Sequence, residues 1–197
     1  EGVPNEEQQH ARDDGTRGGR EWILWAVHTP FAKVVTHPLV AAGICYGRLD
    51  IPAENAAVEA ARLRRELPPE LPVWSSPLMR CRALAAELHP LPRIDDRLAE
   101  MDFGAWEGRP WDAIPRAELD AWAADVGGYA PPGGESPADL QRRALDWVAG
   151  LDVPEAIVVT HAGVIRVLLA HWCGLPPAEW PQLVFGYGSL TTVEVGG

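Results

Sequence analysis

Two uninterrupted apolar runs dominate the hydrophobic pattern of this chain. Trp22-Ile-Leu-Trp-Ala-Val27 lies between a polar segment and His28-Thr-Pro, and Ala156-Ile-Val-Val-Thr160 runs directly into His161. Short continuous runs without polar alternation predict strands covered on both faces, at the centre of a parallel sheet. Leu71-Pro-Val-Trp74 predicts a shorter strand, and Ser189-Leu-Thr-Thr-Val-Glu-Val195 alternates as an edge strand does.

Between these runs the period changes. Ala56, Ala57, Ala60, Leu63 and Leu67 recur at helical spacing, Arg62, Arg64, Arg65 and Glu66 supply a polar face, and Pro68-Pro69 stops the helix. Ser75-Ser-Pro-Leu predicts a turn into a helix reaching about His89, with Ser76 as N-cap and Pro77 in the first helical position. Further helices are predicted over 110–125 and 136–149, on either side of the turn-rich segment 127–135. Ala162–Cys173 reads as a largely buried helix ended by Gly174. Residues 29–52 predict a loop too long for a mere connector, the kind that often carries function. Strands alternating with helices imply a three-layer α/β domain, its sheet mostly parallel with an edge strand near the C-terminus.

Composition narrows the function classes. At 197 residues the expectation is one domain, over 21–197. Residues 1–20 carry many charges, three glycines in six positions and almost no large apolar side chain, which predicts a disordered extension without a signal-peptide core. Every apolar run falls well short of the roughly 20 residues a membrane span needs. The net charge of −11 weighs against nucleic-acid binding, so an anionic small molecule would need a local cationic pocket. Cys45, Cys81 and Cys173 are odd in number, widely spaced and without a CxxC pair, which points to reduced thiols in a cytoplasmic protein. No ligand cluster for a metal, no cofactor motif and no self-complementary patch for a protein partner can be read.

The candidate chemistry lies at the strand ends. In a parallel α/β sheet ligands bind outside the carboxyl ends of the strands, so His28 and His161 can meet over one site despite their separation in the chain. Arg80 sits near the start of the helix after Leu71–Trp74. Glu100 stands in a carboxylate-rich stretch with Asp102 and Glu107. Taken singly, either histidine reads as an ordinary strand-end residue.

Five ordered segments change that reading: Gly43-Ile-Cys-Tyr-Gly-Arg-Leu-Asp50, Ser75-Ser-Pro-Leu-Met-Arg80-Cys, Glu100-Met-Asp-Phe-Gly-Ala-Trp-Glu-Gly108, Pro132-Gly-Gly-Glu-Ser136 and Thr160-His-Ala-Gly-Val-Ile-Arg166. Together they resemble the histidine phosphatase superfamily, with a phosphoglycerate mutase-like fold, and within it the α-ribazole phosphatase branch of cobalamin biosynthesis. The resemblance implies a cytoplasmic, metal-independent phosphomonoesterase acting on a small phosphorylated substrate, without cofactor. It makes His28 the nucleophile that becomes phosphohistidine and Glu100 the general acid and then base. Arg80 and His161 would bind the transferring oxygens, and Gly163 would let the backbone approach closely. Tyr46 and Arg48 either reach the substrate from the long loop or fix that loop, and Glu107 is a structural hydrogen-bonding residue. Trp106, Trp111 and Trp122 either line an apolar face of the pocket or pack in the core.

The chain departs from the family pattern at its first motif, arginine-histidine-glycine, which here reads Val27-His28-Thr29. A second register places His37 as nucleophile, after Ala32-Lys-Val-Val-Thr, at a distance from Cys45 nearer the family's. His28 is preferred because its strand is longer and more apolar. Lys33 would replace the missing charge only in part, as a flexible point donor.

Overall fold

In a computed structural model, residues 22–28, 43–53, 55–185 and 188–195 are described. The extension expected over 1–20, the first part of the 29–52 loop, Lys33, His37 and the side chain of His28 lie outside what is described.

The two apolar runs occupy the middle of a five-stranded sheet. Strands β1 (Trp22–His28), β2 (Val73–Ser75), β3 (Arg93–Ile94), β4 (Glu155–Thr160) and β5 (Leu190–Val195) lie in the order β3-β2-β4-β1-β5. Pairings among β1 to β4 are parallel, and β5 closes one edge antiparallel to β1. Among the described residues the α-helices are α1 (Ala56–Leu63), α2 (Met79–Leu88), α3 (Arg116–Ala124), α4 (Pro137–Ala149) and α5 (Ala162–Trp172).

The period-2 geometry of β4 explains the layering. Ala156 and Val158 join Trp74, Leu140, Ala144, Trp147, Val164 and Val167 in the core beneath α4 and α5. Ile157 and Val159 turn the other way and pack with Ala60, Leu63, Cys81 and Leu84 of α1 and α2. Burial on both faces is why β4 carries no alternation. Each large aliphatic side chain so covered contributes about 1.5–3 kcal/mol relative to exposure.

The fold agrees with the α/β, mostly parallel architecture expected, with four local differences. The helix expected over 110–125 is a 3₁₀ turn at Trp111–Ala113 followed by α3, because Pro115 forces Ile114 into extended backbone (ψ 135°) and cannot donate to a continuing helix. The first helix ends at Leu63 rather than running to Leu67, whose amide still reaches the Leu63 carbonyl through a closing turn. Strand β3, two exposed residues long, has too little apolar pattern to be read from sequence. Ser76 does not cap α2. Its amide extends the sheet by bonding the Val159 carbonyl at 3.0 Å, and the helix starts at Met79 after an extended Leu78.

Candidate functional site

The floor of the site forms where β4 and β2 end. His161 is the residue between β4 and α5, and Arg80 and Cys81 stand in the first turn of α2, all three buried; Arg80 and His161 are each only 2% exposed. Arg80 Nε–H donates to His161 Nδ1 at 3.3 Å, which makes Nδ1 an acceptor and leaves the ring proton on Nε2. Nε2 faces Ser76 Oγ at 2.7 Å, so the hydroxyl that sequence assigned to a helix cap instead orients the imidazole. Cys81 Sγ lies 3.3 Å from the same nitrogen. The imidazole beside this thiol comes from a residue 80 positions away, invisible to local sequence.

The Gly43–Asp50 segment holds the arginine in place. Arg80 Nη1 donates to the Leu49 carbonyl at 3.0 Å and Nη2 to the Gly47 carbonyl at 2.7 Å. The amides of Gly47, Arg48 and Leu49 turn the opposite way and donate to the Glu107 carboxylate at 2.9, 2.9 and 3.1 Å. Phe103 N supplies a fourth donor to the same carboxylate, at 3.0 Å. Glu107 thus fixes the loop whose carbonyls aim the guanidinium, in keeping with its expected structural role.

Glu100 enters from the segment after β3. Its Oε1 accepts the Met101 amide at 2.9 Å and its Oε2 the Gly163 amide at 3.2 Å, in the first turn of α5, where helix polarity favours a carboxylate. A Cβ at Gly163 would overlap the Glu100 carboxylate, so only glycine permits this approach. The main chain of Glu100 is held in turn by Arg143 on α4, whose Nη2 donates to its carbonyl at 3.0 Å. Arg143 also pairs with Glu135 through Nε (3.0 Å) and Nη2 (2.6 Å) in a bidentate contact. Gly104, with φ +51°, lies so close to Pro132 and Gly134 that a side chain there would enter their backbone.

Above the floor opens a cavity of about 620 Å³. Arg80, Glu100, His161 and Gly163 form its polar end, while Phe103, Trp111, Trp122, Trp180 and Phe185 supply aromatic walls. Trp111 and Trp122 stack with planes 8° apart, and Phe103 meets both edge-on. Trp106 is fully buried behind them, stacked on Tyr129. Of the three tryptophans singled out, two line the cavity and one is core.

The remaining sequence candidates fall on either side of this boundary. Tyr46 lines the cavity, with the Arg80 guanidinium 5.9 Å from its ring centroid. Arg48 does not line it; Nη2 lies 3.7 Å from Glu135, a contact that holds the loop. Asp102 spends its carboxylate on the Gly104 amide at 2.8 Å, leaving Glu100 as the acid that faces the cavity. Burial, with the Glu107 charge nearby, pushes the Cys45 thiol up to about 12, in keeping with an inert packed thiol. Sequence reasoning missed Ser76, Glu135 and Arg143. The signal for the last two was available: eight residues apart, they bracket the first two turns of α4. Among the described residues no group of three or more His, Cys, Asp or Glu could hold a metal ion, and no helix is long and apolar enough to cross a membrane.

Known proteins carry the same architecture. The mycobacterial glucosyl-3-phosphoglycerate phosphatase structure superposes with TM-score 0.67 at 28% identity, covering 89% of this chain and 90% of that one. The crystal structure of phosphoglycerate mutase from Thermus thermophilus superposes with TM-score 0.70 at 31% identity, over 87% and 92%. In sequence, the glucosyl-3-phosphoglycerate phosphatase of Mycolicibacterium vanbaalenii is 36% identical over 75% of this chain and 72% of its own length. That of Mycobacterium tuberculosis is 35% identical over 72% and 70%. The histidine phosphatase superfamily (branch 1) matches residues 35–197, and this chain belongs to that family.

Proposed function

We propose that the chain is a cytoplasmic, metal-independent phosphomonoesterase, one catalytic domain over 21–197, that hydrolyses α-ribazole 5′-phosphate through a phosphohistidine. The observation that carries the reading is the β1–β4 register. His28 pairs with Thr160, so the carboxyl ends of the two central strands stand side by side, about 4.8 Å apart, with His161 next in the chain. In this reading the His28 imidazole attacks phosphorus and Glu100 gives its proton to the departing alkoxide. The resulting carboxylate then takes a proton from the water that hydrolyses the phosphohistidine. Arg80 and His161 hold the transferring oxygens, Arg80 through the further N–H of each Nη and His161 through its Nε2–H, which turns from Ser76 Oγ to the phosphoryl oxygen as charge develops there. The aromatic walls of Phe103, Trp111 and Trp122 suit a flat base in the leaving group.

Two observations favour further readings. The mycobacterial relatives favour glucosyl-3-phosphoglycerate, or another phosphomonoester, as substrate of the same chemistry. In the His28 register Val27 stands where the resemblance expects an arginine, which favours a weakened enzyme or a protein that binds phosphorylated ligands without turnover. Loss of one such donor costs about 10²–10³ in rate, which leaves a measurable enzyme. The family match includes His37 and leaves out His28, so the nucleophile is tested at both positions.

The experiment is phosphate release from α-ribazole 5′-phosphate, glucosyl-3-phosphoglycerate and phenyl phosphate, with and without EDTA, by wild type, His28→Ala, His37→Ala and Val27→Arg. The proposal expects EDTA-resistant release, highest on α-ribazole 5′-phosphate, abolished by His28→Ala and raised by Val27→Arg. Loss on His37→Ala alone moves the nucleophile. Saturable binding of the esters without release establishes the binding protein instead.

A further inference from the structure

Arg166 is the one cavity-lining cation that the phosphoryl chemistry leaves unused among the described residues. It lies one turn into α5, on the face that also presents Ala162, Gly163 and Val167 to the cavity. Nε–H donates to the Leu183 carbonyl at 3.1 Å, and the guanidinium carbon sits 5.8 Å from the Phe185 ring centroid. These contacts fix the plane of the group, while its Nη1 and Nη2 have no hydrogen-bond partner among the described residues. No carboxylate among them comes within salt-bridge distance. Glu100 is near enough for its charge to favour the cation, yet burial outweighs it and pulls the guanidinium below its ordinary range. A half-buried, oriented cation with no carboxylate in salt-bridge contact among the described residues is a costly arrangement unless a ligand completes it.

We propose that Arg166 is a specificity-determining residue that receives an oxygen acceptor of the leaving group through its Nη atoms. Arg80 and His161 grip the phosphoryl group at the polar end of the cavity. Arg166 lines the same cavity as Glu100 and the aromatic walls, with its guanidinium against Phe185. The inference rests on the phosphomonoesterase reading for its substrates, and the ligand chemistry it names is an oxygen presented by the alcohol: sugar hydroxyls in α-ribazole 5′-phosphate, a carboxylate in glucosyl-3-phosphoglycerate. A guanidinium forks to either, with the carboxylate bound more strongly.

The test compares wild type, Arg166→Met and Arg166→Lys in calorimetric binding of those two esters and of phenyl phosphate, whose leaving group offers no second acceptor. Binding is read at equilibrium, with the nucleophile replaced wherever wild type turns the ester over. Arg166→Met is expected to lower the affinity ratio of acceptor-bearing ester over phenyl phosphate by about 10–100-fold, with Arg166→Lys restoring part of it. The larger effect on glucosyl-3-phosphoglycerate identifies a carboxylate partner, and an equal effect identifies hydroxyls. A ratio within about threefold of wild type overturns the proposal, as does a wild type that binds no ester more tightly than phenyl phosphate. Because binding is measured without turnover, a protein that hydrolyses nothing still answers the question about Arg166. Melting temperatures and the phenyl phosphate affinity itself expose a variant that has failed to fold.

Discussion

Arg80 donates its Nε–H to His161 Nδ1 while its two Nη groups are held by the carbonyls of Leu49 and Gly47. The guanidinium is therefore aimed from both sides before any substrate arrives, the preorganisation that electrostatic catalysis requires. A lysine keeps the charge but cannot make three planar contacts at once. Arg80→Lys is expected to lower kcat/KM on phenyl phosphate by about 10²–10³-fold. Wild-type kinetics in this variant would mean that charge alone suffices and the fork is irrelevant.

Glu107 acts one step further back. Replacing it with alanine leaves the amides of Gly47, Arg48 and Leu49 without their shared acceptor in a half-buried loop. The expected loss is about 2–3 kcal/mol in urea denaturation, with Glu107→Gln recovering part of it, since one amide oxygen can still accept. The Arg80 grip should loosen with the loop, raising KM for phosphate esters more than it lowers kcat. A variant as stable as wild type would show that solvent replaces the carboxylate at no cost.

Gly163 offers a steric test of the acid. An alanine Cβ there would collide with the Glu100 carboxylate and break its bond to the Gly163 amide. The start of α5 tolerates alanine well, so the fold should survive. Gly163→Ala is expected to reduce kcat by about 10–100-fold on substrates with poorly activated leaving groups. Aryl esters, whose leaving group needs less proton donation, should suffer least. An equal loss on both ester classes would argue against Glu100 as the acid.

How far these relationships can be read without coordinates depends on their range. β1 and β4 are legible because each is an unbroken apolar run, written in β4 by burial on both faces, and His161 because it ends one. Helix α4 announces itself through Ser136-Pro137 and an amphipathic repeat. Local rules misassign Ser76, because a serine before Pro-Leu is a good cap: its hydroxyl does accept the Leu78 amide at 3.3 Å, but the helix starts only at Met79, and its closer partner, His161, is 85 residues away. The Arg143 contact to the Glu100 carbonyl spans 43 residues and leaves no local trace. Pro115, by contrast, is in plain view, and its break in the 110–125 helix follows from the missing N–H.

The N-terminus of α4 couples acid stability to the site. Ser136 N–H and Oγ–H donate to Asp139 Oδ2 at 3.1 and 2.7 Å, Asp139 N–H returns a bond to Ser136 Oγ, and Arg142 reaches Oδ1. The hydroxyl bond first, then the amide and the guanidinium, hold the Asp139 carboxyl down at about 2, from an ordinary 3.8. The folded state thus prefers the ionised form, and the unfolded chain takes up the proton first. Stability from this group is complete above about pH 4 and is lost as pH falls through about 2. The side chain is 40% exposed, so solvent screens the effect and the capping contribution is about 0.5–1 kcal/mol. Asp139→Ala should be less stable than wild type by that amount in urea denaturation at about pH 7, with the gap closing between about pH 4 and about pH 2. Since α4 also carries Arg143, which secures the Glu100 main chain, the variant should lose activity on acidification at a higher pH than wild type. A gap that stays constant through that acid range would show that the folded protein does not hold this carboxyl in its ionised form.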